Sequence, residues 1–324
     1  MTEAPSRVPS VFDRRAISPE AVETRWEADD GHLLRRIDWL VPRGSRRGSL
    51  LFLPGRGDAY EKYLETLDYW HCRGWRVTAA DWRGQAGSGR LGNDRATGHI
   101  DDFACWIDDL AELWAARKVS TPGPHVLAAH SMGGHLVLRA LAERRVDPDA
   151  AVLSAPMLGF KPGFVPVAAM HWLAKLMVRL GDPRRPAWKW DERPGVPPAG
   201  RSALLTHDRR RYEDELWWRQ ARPDIAMGPP SWGWMESALA SIRRLGAPGV
   251  LERIVPPVLV LATEADGLVD FGAIERAVER MSHAELVRFG SEARHEILRE
   301  TDSVRDVALE RIDDFLDRTA PVID

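Results

Sequence analysis

The sequence predicts an α/β protein: a mostly parallel sheet flanked by helices and interrupted once by a mainly helical cap. Three observations carry this expectation. Short apolar runs alternate with stretches of helical period through most of the chain. One such run, His125 to Ala129, stops at Ser131 and passes at once into a helical pattern with Leu136, Val137, Ala140 and Leu141 on one face. The alternation then halts after residues 151–154 and resumes only at 257–263, PVLVLAT.

Taken in order, residues 1–20 are rich in Pro, Ser and Arg and read as a loose arm. Val22 to Trp26 and Leu34 to Val41 are β-rich runs joined at Asp29-Asp30-Gly31, a hairpin signature. Ser49 to Leu53 is a strand that ends in Pro54-Gly55-Arg56-Gly57-Asp58. The stripe Tyr60, Tyr63, Leu64, Leu67 and Trp70 predicts a helix stopped at Gly74. Trp75 to Ala80 is the next strand, closed by the turn that begins at Asp81. Asp101 or Asp102 can cap a helix bearing Phe103, Trp106, Ile107, Leu110, Leu113 and Trp114 on one face. After the Ser131 strand and helix, Ala151 to Ser154 forms a strand. From about Pro156 to Pro248 no clear strand is legible, which marks an inserted cap. A strand at 257–263, a helix from Phe271 to Met281, a strand from Glu285 to Phe289 and a helix from Asp302 to Leu316 complete the chain. The expected organisation is an arm over 1–20, a core over 21–156 and 249–324, and a helical cap over 157–248.

The totals narrow the function. With 324 residues, 45 basic and 48 acidic, the net charge of −3 gives no reason to expect nucleic acid as a partner. Cys72 and Cys105 are too few for a disulfide framework and lack metal-site spacing. The start, MTEAPSRVPS, has no apolar core of a signal peptide, and no apolar run is long enough to span a bilayer. A cytoplasmic protein is expected. Of 14 tryptophans, seven lie between 172 and 234, inside the expected cap.

Ala129-His130-Ser131-Met132-Gly133 is a small-x-Ser-x-Gly pentapeptide between a strand and a helix, the context of a nucleophile elbow. The turn is tight enough to require small residues two before and two after the serine, and Ala129 and Gly133 meet that demand. A serine hydroxyl needs a base to remove its proton, and the base needs a carboxylate to fix its tautomer. In a parallel sheet these partners belong in loops at the carboxyl ends of later strands, in the order Ser, Asp or Glu, His. Asp266 follows the strand 257–263 and His295 follows the strand 285–289. Glu264 and Asp270 are rival acids, but Asp270 stands directly before a helix and suits an N-cap. His283 precedes its strand and so stands at the wrong end of the sheet; His130 reads as the variable residue of the elbow, and His125 and His135 as structural. For the oxyanion hole, the backbone N–H of Met132 and that of Arg56, in the Gly-rich loop after the third strand, are the candidate donors.

These residues together resemble the α/β-hydrolase superfamily, in particular its lysophospholipase and monoacylglycerol lipase branch, and bacterial lysophospholipases most. The likeness runs from about residue 24 to 318 through PGRGDAYEKY, DWRGQAGSGR, AAHSMGG, LSAPMLG, LTHDRRRYEDE, GPPSWGWMES, EADGLVD and RHEIL. It implies a triad of Ser131, Asp266 and His295, an oxyanion hole of Met132 and Arg56, and hydrolysis of carboxylic esters of single-chain lipids through an acyl-enzyme. No metal or organic cofactor is implied. Departures are Pro54-Gly55 where monoacylglycerol lipases usually have His-Gly, Ala129 in place of Gly, and Ala86 in place of a common Gly. Other readings are a short-chain carboxylesterase, a peptidase or acyltransferase, and a hydrolase-like binding protein without catalysis.

In the cap, residues 164–180 place Trp172, Leu173, Leu176, Met177 and Leu180 on one helical face. This face either packs on the cap's own core or, with Trp232 and Trp234, walls an acyl-chain groove. A third option is peripheral contact with the inner face of a membrane. Trp172, Leu176, Trp232 and Trp234 are the candidate substrate-binding residues. Asp208 to Tyr212 is basic and reads as a solvated helix start or a contact for a phosphate headgroup. Arg56, beside the oxyanion loop, is the more direct headgroup candidate.

Overall fold

A computed structural model describes residues 12–40, 47–161, 167–188 and 200–321. β1 (Val22–Glu27) and β2 (Leu33–Trp39) form an antiparallel hairpin across Asp29-Asp30-Gly31. β3 (Gly48–Leu53) is followed by a helical turn, Tyr60–Tyr63, that runs into α1 (Leu64–Cys72), then β4 (Trp75–Ala80). α2 (Phe103–Ser120) is capped by Asp102, whose carboxylate accepts the Ala104 N–H. β5 (His125–His130), α3 (Met132–Ala142) and β6 (Ala150–Ser154) follow.

Between β6 and the next strand the described residues carry α4 (Val167–Arg179), α5 (Arg201–Leu205), α6 (Arg209–Ala221) and α7 (Trp232–Gly246), with isolated bridges and no strand. β7 (Val258–Thr263), α8 (Phe271–Glu279), β8 (Ala284–Phe289) and α9 (Asp302–Thr319) end the fold.

The strands lie in the order β1-β2-β4-β3-β5-β6-β7-β8. β2 is antiparallel to β4, and every pairing from β4 to β8 is parallel. Successive residues of a strand face opposite sides of a sheet. Leu51 and Leu53 of β3 therefore join a core with Phe103, Trp106 and Leu136, while Leu50 and Phe52 join another with Leu67, Trp70 and Phe315. This two-sided burial is why the parallel strands read as unbroken apolar runs. β3 lies between β4 and β5, so the chain order reverses there and a crevice opens at the carboxyl ends of the strands.

Two expectations are corrected. Residues 12–20 are not a loose arm. Arg14 and Arg15 both pair with Asp214 of α6, at 2.7 and 2.6 Å, and the Trp218 indole N–H donates to the Arg14 carbonyl. Phe12 and Ile17 pack on the core. The docking partners lie some two hundred residues away in sequence, so local composition carried no trace of them. Residues 1–11 lie outside the described residues.

The apolar stripe of α4 also faces the other way. Trp172 is 66 % exposed and Leu180 71 %, whereas His171 and Ala174 are the buried positions. α4 rests on α7 through these small and polar residues, with His171 Nε2 3.2 Å from Glu236. Residues 164–166 of the expected helix fall outside the described residues.

Candidate active site

The turn at Ser131 has φ 51° and ψ −116°, a conformation L-residues seldom adopt. Close packing enforces it. A Cβ on Gly133 would stand 2.6 Å from the carbonyl oxygens of both Leu53 and Pro54, so nothing larger than glycine fits. The Ser131 N–H donates to the Ser154 carbonyl, and the Ser131 carbonyl accepts the Met157 N–H. These bonds hang the turn on β6 and hold the hydroxyl clear of the sheet.

Ser131 Oγ lies 3.0 Å from His295 Nε2, and His295 Nδ1 lies 2.7 Å from Asp266 Oδ2. The carboxylate can only accept, so Nδ1 carries the proton and the Nε2 lone pair faces the serine hydroxyl. Asp266 Oδ1 also accepts the Leu268 and Val269 N–H groups at 2.7 and 3.0 Å. Burial alone would raise the Asp266 carboxyl; the charge and hydrogen bond of His295, with these two amides, outweigh it and hold the group below its ordinary value. Burial would likewise lower the His295 imidazole, but Asp266, then Glu296 and Asp58, raise it above an ordinary histidine.

The rival residues lie elsewhere. Asp270 caps α8 by accepting the Gly272 N–H at 3.0 Å. Glu264 is exposed and faces Arg288. His283 is exposed ahead of β8. His125 bonds the Thr121 carbonyl, and His135 bonds Ser241 Oγ at 2.7 Å. His130 is buried with its ring 4.7 Å from that of His295, and burial followed by the charge on His295 pushes it down to about 4.

The Met132 N–H is the first of α3 and has no acceptor within the helix. The loop bearing Arg56 is fixed from the turn after β4: Gln85 Oε1 accepts the Gly57 N–H at 2.8 Å and the Trp82 indole donates to the Pro54 carbonyl at 2.8 Å. Gln85 has no signature in the sequence, because only the fold brings it to this loop.

Behind His295 is a buried charge cluster that sequence reasoning also missed. Lys62 Nζ lies 2.5 Å from Asp58 and from Glu296, and 3.2 Å from Glu215 of α6. Arg299 pairs with Glu296 and Glu215. Asp58, His130 and Glu296 bring three ligand-type atoms within 4.8 Å of one another, but the Lys62 ammonium already fills the cation position between the two carboxylates. The His295 loop is further tied to α5, whose Leu205 carbonyl accepts the Glu296 N–H at 2.8 Å.

A cavity of about 610 Å³ opens over Ser131 and His295. Its walls are mainly apolar, with Met157, Phe160, Met170, Trp188 and Trp234 among them, and Arg56 and Arg201 reach it. Of the four cap residues singled out from sequence, Trp234 lines this cavity. Trp172 is exposed on α4, Leu176 is half-buried away from the cavity, and Trp232 packs on the main core. The insertion supplies walls from α7 and the α5 segment, which helical periodicity alone does not reveal. In the basic run, Arg211 is neither solvated nor free. It is buried among Glu65, Asp208 and Asp302.

Comparison with known proteins agrees with this architecture. The family Hydrolase_4, described as serine aminopeptidase, S33, matches residues 44–302. Lysophospholipase L2 of Escherichia coli K12 is 34 % identical over 284 residues, covering 83 % of this chain and 80 % of the relative. The probable lysophospholipase L2 of Haemophilus influenzae is 28 % identical, with 86 % of each chain covered. Among solved structures, a soluble variant of the monoglyceride lipase of Saccharomyces cerevisiae superposes with a TM-score of 0.76 at 18 % identity, covering 94 % of this chain and 98 % of that one. The chain belongs to the Hydrolase_4 family, in the lysophospholipase and monoacylglycerol lipase-like branch of the α/β-hydrolases.

Proposed function

We propose that this chain is a serine hydrolase that cleaves carboxylic esters of single-chain lipids, lysophospholipid or monoacylglycerol, through an acyl-enzyme. The observation that supports the reading is the hydrogen-bonded row Ser131–His295–Asp266 on the floor of an apolar cavity. The named lysophospholipases among its relatives support the substrate class.

In this mechanism His295 Nε2 takes the Ser131 proton as Oγ attacks the ester carbonyl carbon. The N–H groups of Met132 and Arg56 hold the oxyanion. Asp266 stabilises the imidazolium, which then protonates the leaving alcohol as the C–O bond breaks. Water, deprotonated by the same nitrogen, attacks the acyl carbon, and the returning proton frees Ser131 with release of the fatty acid. Residues 157–248 act as the lid that walls the acyl site.

An aminopeptidase would bind the substrate's free amine with a carboxylate. Among the described residues the carboxylates at this cavity, Asp58 and Glu296, are already engaged by Lys62 and Arg299, which disfavours that reading. No described helix is long and apolar enough to cross a membrane. The exposed Trp172, Leu173 and Leu180 support the reading of α4 as a peripheral contact with a lipid surface.

Labelling by a fluorophosphonate, abolished in Ser131→Ala, tests the nucleophile. A rate panel of acyl esters of graded length beside peptides tests the substrate; a maximum at short acyl chains or on peptides overturns the lipid reading. Co-sedimentation with anionic vesicles that is unchanged in Trp172→Ser overturns the membrane contact.

A further inference from the structure

We propose that Arg56 and Arg201 together form a subsite, within the cavity above Ser131, for a phosphate anion carried by the leaving group of the substrate. This deepens the ester-hydrolase reading and rests on it. Both guanidinium groups line the same cavity as Ser131 and His295. Arg56 has no carboxylate partner among the described residues. One nitrogen donates to the Gly228 carbonyl at 2.8 Å, the group lies over the Trp234 ring at 5.1 Å, and its buried Nε donates to nothing. Arg201 approaches Glu215 only at 3.9 Å, and its Nε is likewise buried and unpartnered.

Among the described residues, Lys62, Arg201, Arg219 and Arg299 face the three carboxylates of Asp58, Glu215 and Glu296, and Arg56 adds a further positive charge. Burial, and then repulsion from Arg201, push the Arg56 guanidinium down to about 9. A buried cation with idle donors and a second cation as its neighbour is costly unless an anion meets both. Guanidinium forks match phosphate oxygens in geometry, and hydrogen bonds between ionised partners are the strong ones. The subsite shares one cavity with Ser131 and His295, so a headgroup bound there stays within the site that holds the ester. A phosphodiester headgroup meets this requirement; a neutral glycerol does not.

The test compares wild type with Arg201→Gln on lysophosphatidylcholine and on monoacylglycerol of the same acyl chain. The ratio of the two kcat/KM values is expected to fall about tenfold or more in the variant, with partial recovery in Arg201→Lys. An unchanged ratio in a variant whose melting temperature is that of wild type overturns the proposal. If Arg201→Gln does not fold, Arg56→Met carries the same comparison. Inorganic phosphate and glycerol 3-phosphate are then tried as inhibitors of monoacylglycerol hydrolysis. Competitive inhibition weakened in Arg201→Gln, without wild-type preference for lysophosphatidylcholine, assigns the site to a free phosphate and overturns the headgroup. Calorimetric titration with glycerol 3-phosphate reads the subsite without turnover. Binding that Arg201→Gln abolishes, in a protein that hydrolyses neither ester, keeps the subsite and refutes the hydrolase reading.

Discussion

The ammonium of Lys62 lies 2.5 Å from a carboxylate oxygen of Glu296, the residue that follows His295. Through this contact the turn after β3 is joined to the loop after β8, and Glu215 joins both to α6. Lys62→Met leaves Asp58, Glu215 and Glu296 buried with less compensation. Removing one partner of a buried ion pair costs about 3–5 kcal/mol. Denaturant unfolding of the variant is expected to show a loss of that order; a change under 1 kcal/mol, on the order of a surface pair, would refute the cluster's role.

In the proposed mechanism hydrolysis requires neutral His295, and the carboxylates around it raise its affinity for a proton above that of an ordinary histidine. Protonation below that value removes the base. The acid limb of kcat/KM should therefore have its midpoint above 6.5, the unperturbed histidine value. Glu296 contributes to the rise, so Glu296→Gln should move the limb to lower pH. A limb that stays in place, or moves upward, contradicts this assignment.

Asp266 and Asp270 stand four positions apart and are expected to separate cleanly. Asp266→Asn removes the acceptor that holds Nδ1–H toward Asp266 and should lower kcat by on the order of 10⁴. Asp270→Ala removes an N-cap and should cost about 1 kcal/mol of stability, with turnover close to wild type. Steady-state rates beside thermal melts decide the pair, and the reverse pattern would make Asp270 the acid.

Gln85 holds the Gly57 N–H and so the loop that presents the Arg56 N–H. Displacements of about 1 Å at a reacting centre can cost 10²-fold. Gln85→Leu should lower kcat by roughly 10- to 100-fold with KM little altered. A change confined to KM would mean that Gln85 acts on binding and not on the oxyanion loop.

The order of strands and helices was legible because β3 to β7 are buried on both faces and helices such as α2 carry one apolar stripe. The positions of Ser131, Asp266 and His295 followed from topology, since loops at the carboxyl ends of β5, β7 and β8 must converge. Lys62, Gln85 and Glu215 were not legible. Each is an ordinary polar residue in its own segment and gains its role from a partner remote in the chain. For α4, periodicity revealed that a stripe exists but not what lies opposite it. The helix turned His171 and Ala174 inward and left Trp172 outside. Ala86 has φ 42°, in the left-handed region that favours glycine, and that conformation was not legible from the residue type.

The roof of the cavity is fastened unequally. α6 is riveted through Arg211 to Glu65 and Asp302, through Glu215 to Lys62, and through Asp214 and Trp218 to residues 14 and 15. α4 is held by packing on α7 through Ala174, by Met170 on the core, by the His171–Glu236 contact and by Arg185, which donates to the Met177 carbonyl. Segments with few buried contacts open locally at lower free energy. α6 is cross-linked to the core by buried charge, whereas α4 rests chiefly on α7 among the described helices. The apolar residues of α4 face outward, and hydrogen–deuterium exchange is expected to show the amides of α4 exchanging ahead of those of α6.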